Sequence, residues 1–113
     1  NSNSVAIGDV ISRSNENPNL DCQFDKSGEL LSVCAASASA SEVSVKKKLC
    51  PDAIAEDMEG FAVAAACLVN MVPWGIVRGI SNHAGDRVKS NWQVAKALQN
   101  AAKYVSRNLA NNR

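Results

Sequence analysis

Few residues of this chain are of the kinds that read nucleic acid. Aromatic residues make up 4% of the 113, and 12 Lys and Arg nearly balance 11 Asp and Glu, so there are neither stacking rings nor a basic field. A nucleic-acid partner is not expected. Histidine occurs once, at His83, and the four cysteines, Cys22, Cys34, Cys50 and Cys67, include no C-x-x-C pair. That spacing argues against both a zinc site and a disulfide framework. The thiols read as reduced, and a cytoplasmic protein with no metal and no cofactor is the expectation. The longest apolar run, residues 61–69, is about half the length that crosses a bilayer. The Asn/Ser-rich start lacks the basic and apolar regions of an export signal, so no membrane partner is expected. There is no P-loop, dinucleotide Gly-rich turn, internal repeat or heptad seam.

What is present reads as α/β. Residues 5–11 predict a short strand, 12–21 a loop, and 30–36 a buried strand following Gly28. A short helix is predicted from Ser41, which can cap it, with Val43, Val45 and Leu49 on its apolar side. Lys46, Lys47 and Lys48 point out near its end, and Pro51 stops it. Ala53-Ile54-Ala55 predicts a very short strand, after which the Asp57 carboxylate can cap a helix over residues 59–70. That helix is rich in Ala and apolar nearly all round, which predicts a core helix pressed on a sheet or another subunit. Residues 70–73 turn the chain into a strand over 74–80, buried on both faces. Helix then buried strand implies a crossover in a parallel sheet. A last helix over residues 91–109 is expected to bury Trp92, Ala95, Leu98, Ala102, Val105 and Leu109, with residues 110–113 fraying.

Two polar clusters stand at opposite edges of the middle helix-then-strand unit. Asp57-Met58-Glu59-Gly60 opens the helix, and Arg78-Gly79-Ile80-Ser81-Asn82 closes the strand, followed by Gly85-Asp86-Arg87. Such edges are where an open α/β sheet presents groups to a small ligand. Each residue also has a plainer reading. Glu59 suits a helix first turn, Asp86 an ion pair with Arg87 or Arg78, His83 a surface loop, and Trp92 the apolar stripe of its helix. Arg78 on a buried strand needs an acidic partner.

The two clusters, in this order and with Trp92 after them, resemble the nucleoside phosphorylase and nucleosidase superfamily, and within it the futalosine hydrolases. The resemblance spans residues 30–109 and is strongest over 56–98, with 1–29 weakly matched. It implies a partial phosphorylase/hydrolase-like three-layer fold, a mixed or parallel sheet flanked by helices. Domains of that family are about twice this length, and their N-terminal half carries a Gly-rich first strand and the acid associated with activating water. The expectation is therefore that residues 1–113, which start without Met, are the C-terminal portion of one such domain.

Cleaving an N-glycosidic bond requires a grip on the sugar, stabilisation of an oxocarbenium-like ribosyl group, and neutralisation of charge on the leaving base. By resemblance, Glu59 accepts from the ribose 2′- and 3′-hydroxyls and Met58 lies against the sugar, while Ser81 shapes the turn or supports the base site. Asn82 stands where many nucleosidases of the superfamily have Asp as general acid. An amide cannot deliver a proton in that way, but it can donate to a purine N7. This departure favours a 6-oxopurine leaving group, with Asp86 as the candidate to supply or relay the proton. The implied partner is a purine nucleoside or its base. The implied reaction is hydrolysis, with phosphorolysis and a non-catalytic binding or assembly module as alternatives. An uncovered half-sheet should also drive the chain to form a homo-oligomer.

Overall fold

A computed structural model describes residues 5–14, 25–26 and 29–111. The chain runs β1 (Val10–Ser14), β2 (Asp25–Lys26), β3 (Glu29–Ser32), α1 (Ala40–Leu49), β4 (Ala53–Asp57), α2 (Gly60–Val69), β5 (Gly75–Gly79), a 3₁₀ turn (Lys89–Asn91) and α3 (Val94–Asn111). The fold is α/β, with small sheets flanked by helices.

Among the described residues the strands form two sheets. One has the order β2-β1-β5, the other β3-β4. β1 is parallel to β2 and antiparallel to β5, with Val10 opposite Gly79 and Ser14 opposite Gly75; β3 and β4 are parallel. The expected parallel crossover from β4 through α2 to β5 is not realised between hydrogen-bonded neighbours, because β5 takes β1 as its ladder partner. The first strand also starts later than expected, at Val10, since Gly8 has φ +93° and bends the chain just before it. Residues 12–14, expected to loop, belong to that strand. Of the rest of the expected loop, 15–21, only positions outside the described residues remain. The strand expected over 30–36 ends at Ser32, where the chain turns toward α1.

Local sequence accounts for the helix ends. α1 is capped by Ser39, not Ser41: the Ser39 hydroxyl accepts from the Glu42 N–H at 3.3 Å, and the Glu42 carboxylate accepts from the Ala38 N–H at 2.6 Å. α2 stops in a Schellman turn, with the Val72 N–H on the Cys67 carbonyl (2.8 Å) and the Met71 N–H on that of Leu68 (3.1 Å). Met71 takes the left-handed position at φ 57°. The loop before α3 is closed by the Gln93 N–H on the Ser81 carbonyl at 2.7 Å.

α3 packs on β5 and β1, but through a different face from the one hydropathy suggests. Ala97 and Tyr104 are buried, with Ala101 and Asn108 half-buried beside them, whereas Leu98 is 65% exposed and Ala95, Ala102 and Val105 also face outward. Two physical causes select this face. Gly79 lets the helix approach so closely that a Cβ there would collide with the Ala97 carbonyl. Polar tips also find partners inside: the Tyr104 and Ser12 hydroxyls share a 2.8 Å bond, and the Asn100 amide donates to the Gly8 carbonyl at 2.8 Å. Trp92 lies before the helix, not on its stripe. α2 is not a core helix among the described residues: Phe61 and Leu68 are each 73% exposed. On α1, likewise, Val45 and Leu49 are exposed.

Candidate active site

The carboxyl ends of β4 and β5 meet through one ion-pair cluster. Asp57, the last residue of β4, has a side chain only 7% exposed, and its carboxylate is fully engaged. Oδ1 accepts from the Ser32 hydroxyl at 2.7 Å, and Oδ2 from the Gly60 N–H at 3.1 Å and from Arg78 Nε at 3.2 Å. The Ser32 hydroxyl in turn accepts from the Phe61 N–H at 2.8 Å, so Asp57 and Ser32 together satisfy two of the free donors that open α2. The capping role expected of Asp57 is thus present. Arg78 finds its acidic partners within the chain: its guanidinium also reaches Glu59 Oε2 at 2.8 Å. Glu59 remains 67% exposed at its side chain, with Oε1 directed at no partner among the described residues.

The second cluster follows β5. The Ser81 hydroxyl donates to Asn82 Oδ1 at 2.5 Å, and Asn82 Nδ2 donates to the His83 carbonyl at 3.0 Å. An amide nitrogen carries two protons, so one of them is left without an acceptor among the described residues. Asp86 accepts from the Val88 N–H at 2.9 Å and from the Asn91 amide at 3.1 Å. Those two bonds, aided by the nearby His83 and opposed by desolvation, hold the Asp86 carboxyl below the ordinary carboxylate range. Near neutrality it is an anion. Its side chain folds its own loop, and neither Arg78 nor Arg87 is its ion-pair partner among the described residues. The Trp92 indole N–H donates to the Asp86 carbonyl at 2.9 Å, which fixes a half-buried ring beside the loop.

These groups border one cavity of about 330 Å³, whose lining includes Asp57, Arg78, Ser81, Asn82, Asp86 and Trp92. Met58 and Glu59 are not part of that lining; both are exposed, and Glu59 is tied to the cavity through Arg78. Ser81, Asn82 and Asp86 are therefore brought together, while Met58 and Glu59 stand apart from them.

Reading the sequence missed a third polar group on the same cavity. Ser37 is 2% exposed, and the carboxylate of Glu56 accepts from both its N–H (2.7 Å) and its hydroxyl (2.9 Å). Lys46, expected to point outward from α1, folds back to Glu56 at 3.1 Å. Lys47 also folds back, donating to the Ala53 carbonyl at 2.7 Å. The available signal was an acid, Glu56, in a strand otherwise composed of Ala and Ile before Asp57. Among the described residues no group of three or more His, Cys, Asp and Glu could hold a metal ion, and Cys34, Cys50 and Cys67 are free thiols. No helix is long and apolar enough to cross a membrane among the described residues.

The family to which such a site belongs follows from comparison with known proteins. Residues 27–110 match the profile of the Phosphorylase superfamily, and the chain belongs to that superfamily. Among its relatives, the futalosine hydrolase of Streptomyces coelicolor is 34% identical over 71 residues, covering 63% of this chain and 30% of the relative. The futalosine hydrolase of Thermus thermophilus is 46% identical over 55 residues, covering 49% of this chain and 24% of the relative. The chain thus spans less than a third of the length of either protein.

Proposed function

We propose that this chain carries the sugar and base contacts of an N-ribosyl hydrolase acting on a purine nucleoside of the futalosine type. The observation that carries the reading is the cavity at the carboxyl ends of β4 and β5. There a superfamily member gathers Ser81, Asn82 and Asp86 beside the Arg78–Asp57 pair, the place where α/β sheets hold ligands.

In this reading the C1′–N9 bond breaks with its electron pair going to the purine; water adds to C1′, and one of its protons ends on the departing base. Glu59 keeps one carboxylate oxygen for a ribose hydroxyl while Arg78 steadies the other. Its negative charge favours the cationic ribosyl group, and exposed Met58 offers an apolar contact to the sugar. Ser81 holds Asn82 Oδ1, which turns the remaining amide proton toward a ring nitrogen or the exocyclic oxygen of a 6-oxopurine. Asp86, held as an anion, accepts hydrogen bonds and has no proton to deliver near neutrality. It serves as an acceptor or a relay, and the proton that reaches the base originates in the attacking water or the solvent.

Release of hypoxanthine from inosine and from futalosine, with and without inorganic phosphate, tests the reading. Phosphate-independent release supports hydrolysis, and a requirement for phosphate assigns the chain to phosphorolysis. Binding without turnover marks a non-catalytic module. Under the hydrolase reading, Glu59→Ala weakens nucleoside binding about tenfold and leaves hypoxanthine binding unchanged, whereas Asn82→Ala weakens both.

A further inference from the structure

The third polar group has no part in the chemistry above. Residues 33–39 join β3 to α1 without regular structure, yet they contain Ser37, one of the most buried of the described residues. A polar residue buried in an irregular segment is costly unless its groups are paired. Here the Glu56 carboxylate takes the Ser37 N–H on one oxygen and the Ser37 hydroxyl on the other. Lys46 closes the arrangement from α1. Its ammonium donates to Glu56 Oε2 at 3.1 Å, to the Ser37 hydroxyl at 2.9 Å and to the Ala35 carbonyl at 3.0 Å. Three elements, β4, the 33–39 segment and α1, are thereby tied at one point. Burial pushes the Glu56 carboxyl up, but the Ser37 and Lys46 hydrogen bonds outweigh it and hold the group below its ordinary range, as expected of a carboxylate that remains charged to do this.

The tie reaches the ligand loop. Ala36, Ser37 and Glu56 border the same cavity as Asn82 and Asp86. Gly85, in the left-handed region at φ +91°, is seated so closely on this wall that a Cβ would lie 2.9 Å from the Ser39 carbonyl oxygen and 3.2 Å from Val43 Cγ2. The loop carrying Asn82 and Asp86 thus rests on the backbone two residues beyond the clamped serine.

We propose that Glu56, clamped on Ser37 and steadied by Lys46, is a positioning residue for the base side of the cavity. It fixes the 33–39 wall, and through Ser39 against Gly85 it fixes the loop that presents Asn82 and Asp86. The identity of the base rests on the purine-nucleoside reading above; the mechanical link does not.

Amide hydrogen exchange and calorimetric binding of hypoxanthine and of free ribose test it on Glu56→Ala, Lys46→Met and Lys46→Arg. In Glu56→Ala the amides of Ser37, Asp86 and Val88 are expected to exchange about tenfold faster, while those of α3 and β5 keep their rates. Hypoxanthine affinity falls about tenfold and ribose affinity is unchanged. Lys46→Met shows a smaller effect of the same pattern, and Lys46→Arg, which keeps the donors, restores it. If Ser37 is released but Asp86 and Val88 keep their exchange rates, the link is absent and the proposal is overturned. It is equally overturned if hypoxanthine affinity survives in Glu56→Ala. Should Glu56→Ala fail to fold, Lys46→Met against Lys46→Arg decides by the same amides. If the wild-type chain binds no hypoxanthine, the purine reading fails by itself, and the exchange at Asp86 and Val88 alone accepts or rejects the positioning role.

Discussion

Removing the Asp57 carboxylate should destabilise the chain strongly. The residue caps α2 through the Gly60 N–H, binds the Ser32 hydroxyl and takes Arg78 Nε, all while its side chain is 7% exposed. Loss of the cap costs about 1 kcal/mol. The Ser32 hydroxyl, which also supports the Phe61 N–H, loses its acceptor for about another 1 kcal/mol. The Arg78 contribution must be discounted, because that side chain is 39% exposed and keeps Glu59, so about 1 kcal/mol is assigned to it. Asp57→Ala is therefore expected to cost about 3 kcal/mol, or roughly 10–15 °C in Tm. Urea unfolding followed by circular dichroism measures this, with an unchanged m value showing that the unfolded ensemble is not the cause. Asp57→Asn separates charge and donor direction from volume. Its amide can serve Ser32 but then aims protons at the Gly60 N–H and Arg78, so it should retain at least half of the loss. A cost below about 1 kcal/mol for Asp57→Ala, or wild-type stability for Asp57→Asn, would refute the assigned network.

Gly79→Ala should destabilise by about 3 kcal/mol in the same unfolding assay, since the added methyl meets the Ala97 backbone carbonyl and must displace α3. Met71→Gly should stabilise by about 0.5–1 kcal/mol, because it relieves a left-handed non-glycine at an exposed position. Glu56 has its pKa lowered from 4.5 in the folded chain, so its contribution is present above that value and disappears as pH falls through the folded pKa. The stability difference between wild type and Glu56→Gln should accordingly shrink below pH 4.5. The exposed apolar residues Phe61, Leu68 and Val69 on α2 favour self-association, and light scattering of the chain should report a homo-oligomer; a monodisperse monomer would count against it.

Much of the candidate site was legible as a pattern. The polar clusters around Met58-Glu59 and Ser81-Asn82 mark the ends of β4 and β5, and the need of Arg78 for an acidic partner follows from its place in an apolar strand. The Glu56–Ser37–Lys46 group was not legible, because its members are 10 and 19 residues apart across three elements and carry no spacing rule. The α3 face was misread for a related reason. Hydropathy ranks Leu98 above Tyr104 and Asn100, but the sheet below offers those polar tips partners at Ser12 and Gly8. The Ser39 cap lies two residues before the serine expected, because Ser41 already stands inside the first helical turn.

The sequence by itself determined most of the local elements and the order of the two polar clusters. Periodicity, caps and strand-ending polar residues act within a few positions of one another, so they can be read without knowing the fold. Only the tertiary structure decided how those clusters relate: β5 pairs with β1, Arg78 bridges to Asp57 and Glu59, and Glu59 lies outside the cavity lining. Such outcomes depend on which hydrogen-bond partners and how much close backbone approach distant segments offer one another. Gly79 against Ala97 and Glu56 around Ser37 are contacts of that kind.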